Sequence, residues 1–107
     1  MTDVDRQTRL VRTRIAVPES LQAADAGPFL EMVRIANAVC RADAGHDYLD
    51  EQADEVFGFW QDQSDWIQIG YAAERDGVML GAVKIMFAHQ DDVASLDFDL
   101  MVDPPRR

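Results

Sequence analysis

Two long runs of strand-forming residues, separated only by Arg75-Asp76-Gly77, dominate the second half of the sequence. Trp66-Ile67-Gln68-Ile69-Gly70-Tyr71-Ala72-Ala73-Glu74 has a β-type pattern, and residues 78–88, Val-Met-Leu-Gly-Ala-Val-Lys-Ile-Met-Phe-Ala, form its return strand. Asp-Gly readily takes the positive φ that a tight turn requires, so residues 66–88 read as one hairpin. Whatever else the chain does, it builds a sheet around that hairpin.

The flanking segments supply the rest. Residues 10–17 alternate Val11, Thr13, Ile15 and Val17 with Leu10, Arg12, Arg14 and Ala16, the pattern of a first strand that Pro18 ends. Phe29, Val33, Ala36 and Cys40 then recur at helical spacing, flanked by Leu30, Met32, Ile35 and Val39, which predicts a helix over about residues 24–42, capped by Ser20 or Asp25 and closed by Gly45. A second helix takes its apolar face from Tyr48, Leu49, Gln52, Ala53, Val56, Phe57 and Trp60, with Asp50, Glu51, Asp54 and Glu55 loading its first turns. After a turn at Gln90-Asp91-Asp92, residues 93–102 read as a fourth strand, with Leu96, Phe98, Leu100 and Val102 on one face and Ser95, Asp97, Asp99 and Met101 on the other. The order β-α-α-β-β-β predicts an α+β fold: an antiparallel meander with two helices packed on it, ending at an open fourth strand. Residues 1–107 form a single domain, and residues 1–9 read as a flexible lead-in.

Charge narrows the partners. The net charge of -10 argues against a nucleic-acid partner, whose binding draws its affinity from clustered Lys and Arg, and it favours a cationic acceptor such as an amine. With 48% apolar and 28% charged residues the chain has the composition of a soluble globular protein. No stretch approaches the ~20 apolar residues of a membrane span, and no membrane partner is expected. The single cysteine, Cys40, has no partner for an internal disulfide, and this fits a reducing, cytoplasmic setting. Two histidines, His46 and His89, with scattered carboxylates make no zinc pattern, so no metal is expected.

Strand, two helices, meander, and a fourth strand ending Leu100-Met101-Val102-Asp103-Pro104 resemble the amino-terminal half of the GNAT superfamily of acyl-CoA-dependent N-acyltransferases. Val17-Pro18, Asp25 ahead of the first helix and the Gly77 to Gly81 hairpin are similar to that family as well. The resemblance implies acetyl-CoA as cofactor and an amine, small or peptide-borne, as acceptor. It places Arg107 at the first position of the loop that holds the pyrophosphate at a helix N-terminus. It also implies that the backbone of Leu100 or Met101 polarises the thioester carbonyl and that Val102 pairs with the pantetheine arm.

Direct transfer needs the amine as free base, so a general base or a water chain must take its proton. Asp97 and Asp99, two like charges on one face of the fourth strand, are the catalytic candidates, with Glu74, His89 and Tyr71 as further ones. His46 and Asp47 in the connector between the helices, Phe59 or Trp60 on the second helix, and Tyr71 are candidates to line the acceptor pocket. A second reading belongs to a different class: a non-catalytic acidic binding module that uses an open strand edge to pair with another chain or with itself as a homodimer.

Overall fold

The computed structural model describes residues 10–88 and 96–106. It is an α+β fold, with a four-stranded antiparallel sheet in the order β1 (Val11–Ile15), β2 (Trp66–Arg75), β3 (Val78–Ala88), β4 (Asp97–Val102), and two helices, α1 (Gly27–Ala44) and α2 (Ala53–Gln61). The lead-in at residues 1–9, the turn at Gln90-Asp91-Asp92, the Val93 to Ser95 start of the fourth strand, His89 and Arg107 lie outside the described residues.

The Asp76-Gly77 turn forms as its residue types require, with φ of 54° at Asp76 and 77° at Gly77, and it aligns β2 and β3 over their whole length. Ala73 faces Gly81 while Glu74 faces Met79, so Leu80 is an extra residue in β3. That bulge turns the Leu80 carbonyl toward the chain end, where it accepts a hydrogen bond from the Asp103 backbone N–H at 2.9 Å.

Helix α1 begins at Gly27 behind Ala26, with Pro28 in its first turn and no side-chain cap from Ser20 or Asp25. Gly45, at φ 79°, closes it by donating its N–H to the Arg41 carbonyl. Helix α2 starts later than its apolar spacing suggests, because Gln52 is extended, at ψ 137°, and the preceding residues are pinned elsewhere. Arg41 binds the Asp50 carboxylate, and the Asn37 amide is doubly hydrogen-bonded to the Glu51 backbone at 2.9 and 3.0 Å. The Arg41 guanidinium holds the Asp50 carboxyl below the usual carboxylate range. Tyr48 and Leu49 are therefore exposed connector residues rather than part of a helix face.

Both helices pack on one face of the sheet. Phe29, Met32 and Ile35 of α1 are fully buried against Ile15, Ala72, Met79, Ala82 and Met101 of the strands and Val56 and Trp60 of α2. Phe29 is the centre, meeting Phe57 and Trp60 edge-on at centroid distances of 5.9 and 5.7 Å. Arg34 ties this layer to the end of β4 through a 2.8 Å bond to the nearly buried Asp103 carboxylate and a second bond to Glu31, and these raise its already high pKa.

Strand β4 sits against β3 only because position 81 carries no side chain. A Cβ there would overlap the Met101 carbonyl oxygen and come within 3.3 Å of the Val102 Cα, both backbone atoms with no rotamer to escape into. Gly81→Ala should cost about 1–3 kcal/mol, the usual scale of overpacking. In a urea titration followed by amide hydrogen exchange, protection should be lost first along β4. Wild-type stability with β4 fully protected would show that the two backbones are not held that close.

Candidate active site

Trp60 links the core to the surface. Its indole lies over Gly70 of β2, where an added Cβ would stand 3.0 Å from the ring. Beyond it, α2 and the adjoining halves of β2 and β3 leave a cleft of about 910 Å³. Gln68, Lys84 and Met86 form the floor, Val56, Phe59 and Trp60 the helical wall, and Trp66 the far lip. Glu51, Asp54, Glu55, Asp62 and Asp65 surround it, and Lys84 is the one cation among the described lining residues. Phe59, 70% exposed, presents its ring to this space rather than to the core.

Local hydrogen bonds fix Asp62 on the acidic rim. Asp62 accepts from the Ser64 hydroxyl at 2.7 Å and the Ser64 backbone N–H at 3.1 Å, which holds its carboxyl below the usual range and therefore ionised at neutral pH. Gln63 clamps the end of α2 to the start of β2, donating to the Trp60 and Gln68 carbonyls and accepting from the Gln68 backbone N–H at 2.9 Å. The cleft thus combines one anchored carboxylate, Asp62, and its acidic neighbours with aromatic faces, a chemistry suited to a cation carrying an apolar stem.

Beside the cleft lies the edge of the sheet. In the register of β3 with β4, Ala82 faces Met101, Lys84 faces Asp99 and Met86 faces Asp97. Residues directly opposite share a face, so Asp97 and Asp99 stand on the cleft side of the sheet, one strand beyond its floor. The Asp103 N–H points to Leu80, and the Met101 carbonyl lies against Gly81. Alternation along an antiparallel strand then turns the N–H and C=O of Asp97, Asp99 and Met101 toward β3 and those of Phe98, Leu100 and Val102 outward. Among the described residues no strand pairs with that outer edge.

Compared with models of protein families, with curated proteins and with solved structures, the chain matches none of them. Its site therefore rests on its own geometry.

That geometry sorts the residues singled out in the sequence. Phe59 and Trp60 are together in the cleft, with Asp97 and Asp99 beside it. Leu100 and Val102 present their backbones at the open edge. Met101 does not: its side chain is buried and its backbone faces β3, which leaves Leu100 of the two residues expected at the thioester. Tyr71 faces Arg14 and Val83 on the opposite side of the sheet, away from the cleft. Glu74 stands at the far end of β2, opposite Val11 and Met79. His46 is exposed in the connector, where its Nδ1 accepts a hydrogen bond from the Tyr48 N–H and its ring stacks on Tyr48 at 4.7 Å, outside the cleft lining. Asp47 is exposed in the same connector. Arg107 and His89 lie outside the described residues.

Sequence reasoning passed over Trp66, Asp62, Asp65 and Lys84 of the cleft. The Asp-x-Ser-Asp run after α2 was the available signal, since Asp62 followed by Ser64 forms a self-bonded turn that fixes a carboxylate. Among the described residues no helix is long and apolar enough to cross a membrane, and no group of three His, Cys, Asp or Glu side chains is arranged to hold a metal ion.

Proposed function

We propose that the chain forms the amino-terminal half of an N-acyltransferase of the GNAT type, which when intact transfers an acetyl group from acetyl-CoA to an amine by direct attack in a ternary complex. The observation that carries this reading is the adjacency of an acidic, aromatic cleft to an open strand edge with outward backbone groups at Leu100 and Val102. An extended arm with two amides suits such an edge, because it pairs as an added strand would. Acetyl-CoA would supply the activated acyl group there, and Arg107 would open the loop that receives its pyrophosphate.

The residues then take distinct roles. Glu51, Asp54, Asp62 and Asp65 concentrate a cationic acceptor, and the rings of Phe59 and Trp66 flank its stem. Asp97 accepts the ammonium proton. It is preferred over Asp99 because it stands opposite the thioether of Met86, whereas Asp99 stands opposite the Lys84 cation. The nitrogen lone pair would form the new C–N bond at the thioester carbonyl, the C–S bond would break, the nitrogen would release its surplus proton to solvent, and the thiolate would take a proton up. The Leu100 N–H stabilises the negative charge that develops on the carbonyl oxygen.

Given acetyl-CoA and a panel of alkylamines, diamines, polyamines and lysine peptides, the intact protein should release free CoA thiol in an amine-dependent way. Asp97→Asn should lower kcat on the order of 10²-fold at pH 7, with the deficit shrinking as pH rises and the amine deprotonates unaided. Silence across the panel would overturn the proposal. Unchanged kcat and pH profile in the variant would remove Asp97 from it.

The same open edge supports the second reading, a binding module that pairs by strand addition. Light scattering separates the two: strand pairing requires self-association or capture of an extended peptide, and a monomer that binds none would leave only the enzyme.

A further inference from the structure

The chain leaves β4 through Asp103, and hydrogen bonds from three parts of the molecule meet there. Its backbone N–H donates to the Leu80 carbonyl at the β3 bulge, 2.9 Å away, and its own carbonyl accepts from the Arg106 N–H at 2.7 Å. Its carboxylate accepts from Nη2 of Arg34, on α1, at 2.8 Å. At 6% exposure, Asp103 is the buried charged residue of the described set.

No local group can stand in for Arg34. A carboxylate ahead of a helical turn ordinarily accepts from the N–H groups of the second and third residues that follow it. In the short turn Pro104–Arg106, Pro105 has no N–H and the Arg106 N–H is already given to the Asp103 carbonyl. Oδ1 of Asp103 has no partner among the described residues, so the guanidinium supplies the one hydrogen bond that this buried carboxylate accepts there. Arg34 is itself steadied, because its Nε binds Glu31 on the same helix while Nη2 spans to the strand.

Asp103 follows directly on Val102, the last residue of β4, whose backbone groups point outward. A strand paired along one side only frays from its ends, and a ligand that binds a frayed strand must also order it. We infer that Arg34 is a positioning residue for acetyl-CoA: it touches no substrate, and by holding Asp103 it keeps the outward groups of Leu100 and Val102 in place before the thioester arm arrives. This inference rests on the acyltransferase reading. Its effect falls on the cofactor and spares the acceptor, since neither Arg34 nor Asp103 lines the acidic cleft.

The test is steady-state kinetics of the intact protein, varying acetyl-CoA and the amine that releases most thiol separately. Arg34→Ala should raise KM for acetyl-CoA about tenfold while KM for the amine stays within about twofold, the mark of binding lost on one side only. Arg34→Lys keeps a cation on the same helix position and should recover most of that rise. Glu31→Gln leaves the Asp103 bond in place and should change neither constant. Because Arg34→Ala strands a buried carboxylate, Arg34→Leu combined with Asp103→Asn removes the charge together with the tie. That double variant should melt near the wild type and still show the raised KM for acetyl-CoA. An unchanged KM in the folded double variant, a rise shared equally by both substrates, or a Lys variant no better than Ala would overturn the inference and leave the acyltransferase reading standing. A wild-type protein that turns over no acetyl-CoA would instead remove that reading, and the inference with it.

Discussion

Phe29→Ala should lower the unfolding free energy by about 3–5 kcal/mol, against a total of about 5–15 kcal/mol for an ordinary domain. Phe29 has no exposed surface and touches the aromatic residues of α2 edge-on, so its removal opens a cavity where α1, α2 and the sheet meet. The helices cannot close that cavity by sliding. Arg34 holds α1 to Asp103, and Asn37 and Arg41 hold it to the connector that leads into α2. Urea denaturation followed by tryptophan fluorescence reads the loss directly, because Trp60 reports the same cluster. A loss below about 1 kcal/mol would mean that the helices repack freely and that the cleft they wall is not a fixed structure.

Leu100→Pro should reduce kcat/KM for acetyl transfer on the order of 10²-fold or more while leaving the sheet nearly intact. Proline removes an N–H, and the Leu100 N–H points away from β3, so no ladder bond is lost. The donor that would stabilise the carbonyl oxygen is lost, and such donors contribute about 2.7–4 kcal/mol to a transition state. Met101→Pro is the informative contrast. It deletes an N–H that faces β3, so it should destabilise the β3–β4 pairing as well. If Leu100→Pro kept full turnover with its fold intact, the Leu100 N–H would have no part in the reaction.

Much of the frame is legible in the sequence, because local chemistry sets it. Asp76-Gly77 specifies the hairpin, the strand β3 runs over the expected residues, and Gly45 ends α1. The start of α2 is not legible, since the apolar spacing of Tyr48 and Leu49 continues a helical pattern that the long-range bonds of Arg41 and Asn37 interrupt. Nor is the orientation of β4. Its alternation of Phe98, Leu100 and Val102 with Asp97, Asp99 and Met101 invites burial of the apolar face against the helices. The Gly81–Met101 contact and the hairpin register turn that face outward instead. A central strand such as β3, apolar on both faces, carries no signal to decide between the two. For the same reason Tyr71 could not be assigned a side from its neighbours, whereas Phe59, off the buried stripe of its helix, could be expected at a surface.

If the outward backbone of β4 holds the thioester arm, amide NMR of the intact protein titrated with acetyl-CoA will register it. The N–H resonances of Leu100 and Val102 should shift progressively and saturably, with those of Asp99 and Met101 changing little because they already bond to β3. Shifts that spare Leu100 and Val102, or that fall equally on all four, would contradict it.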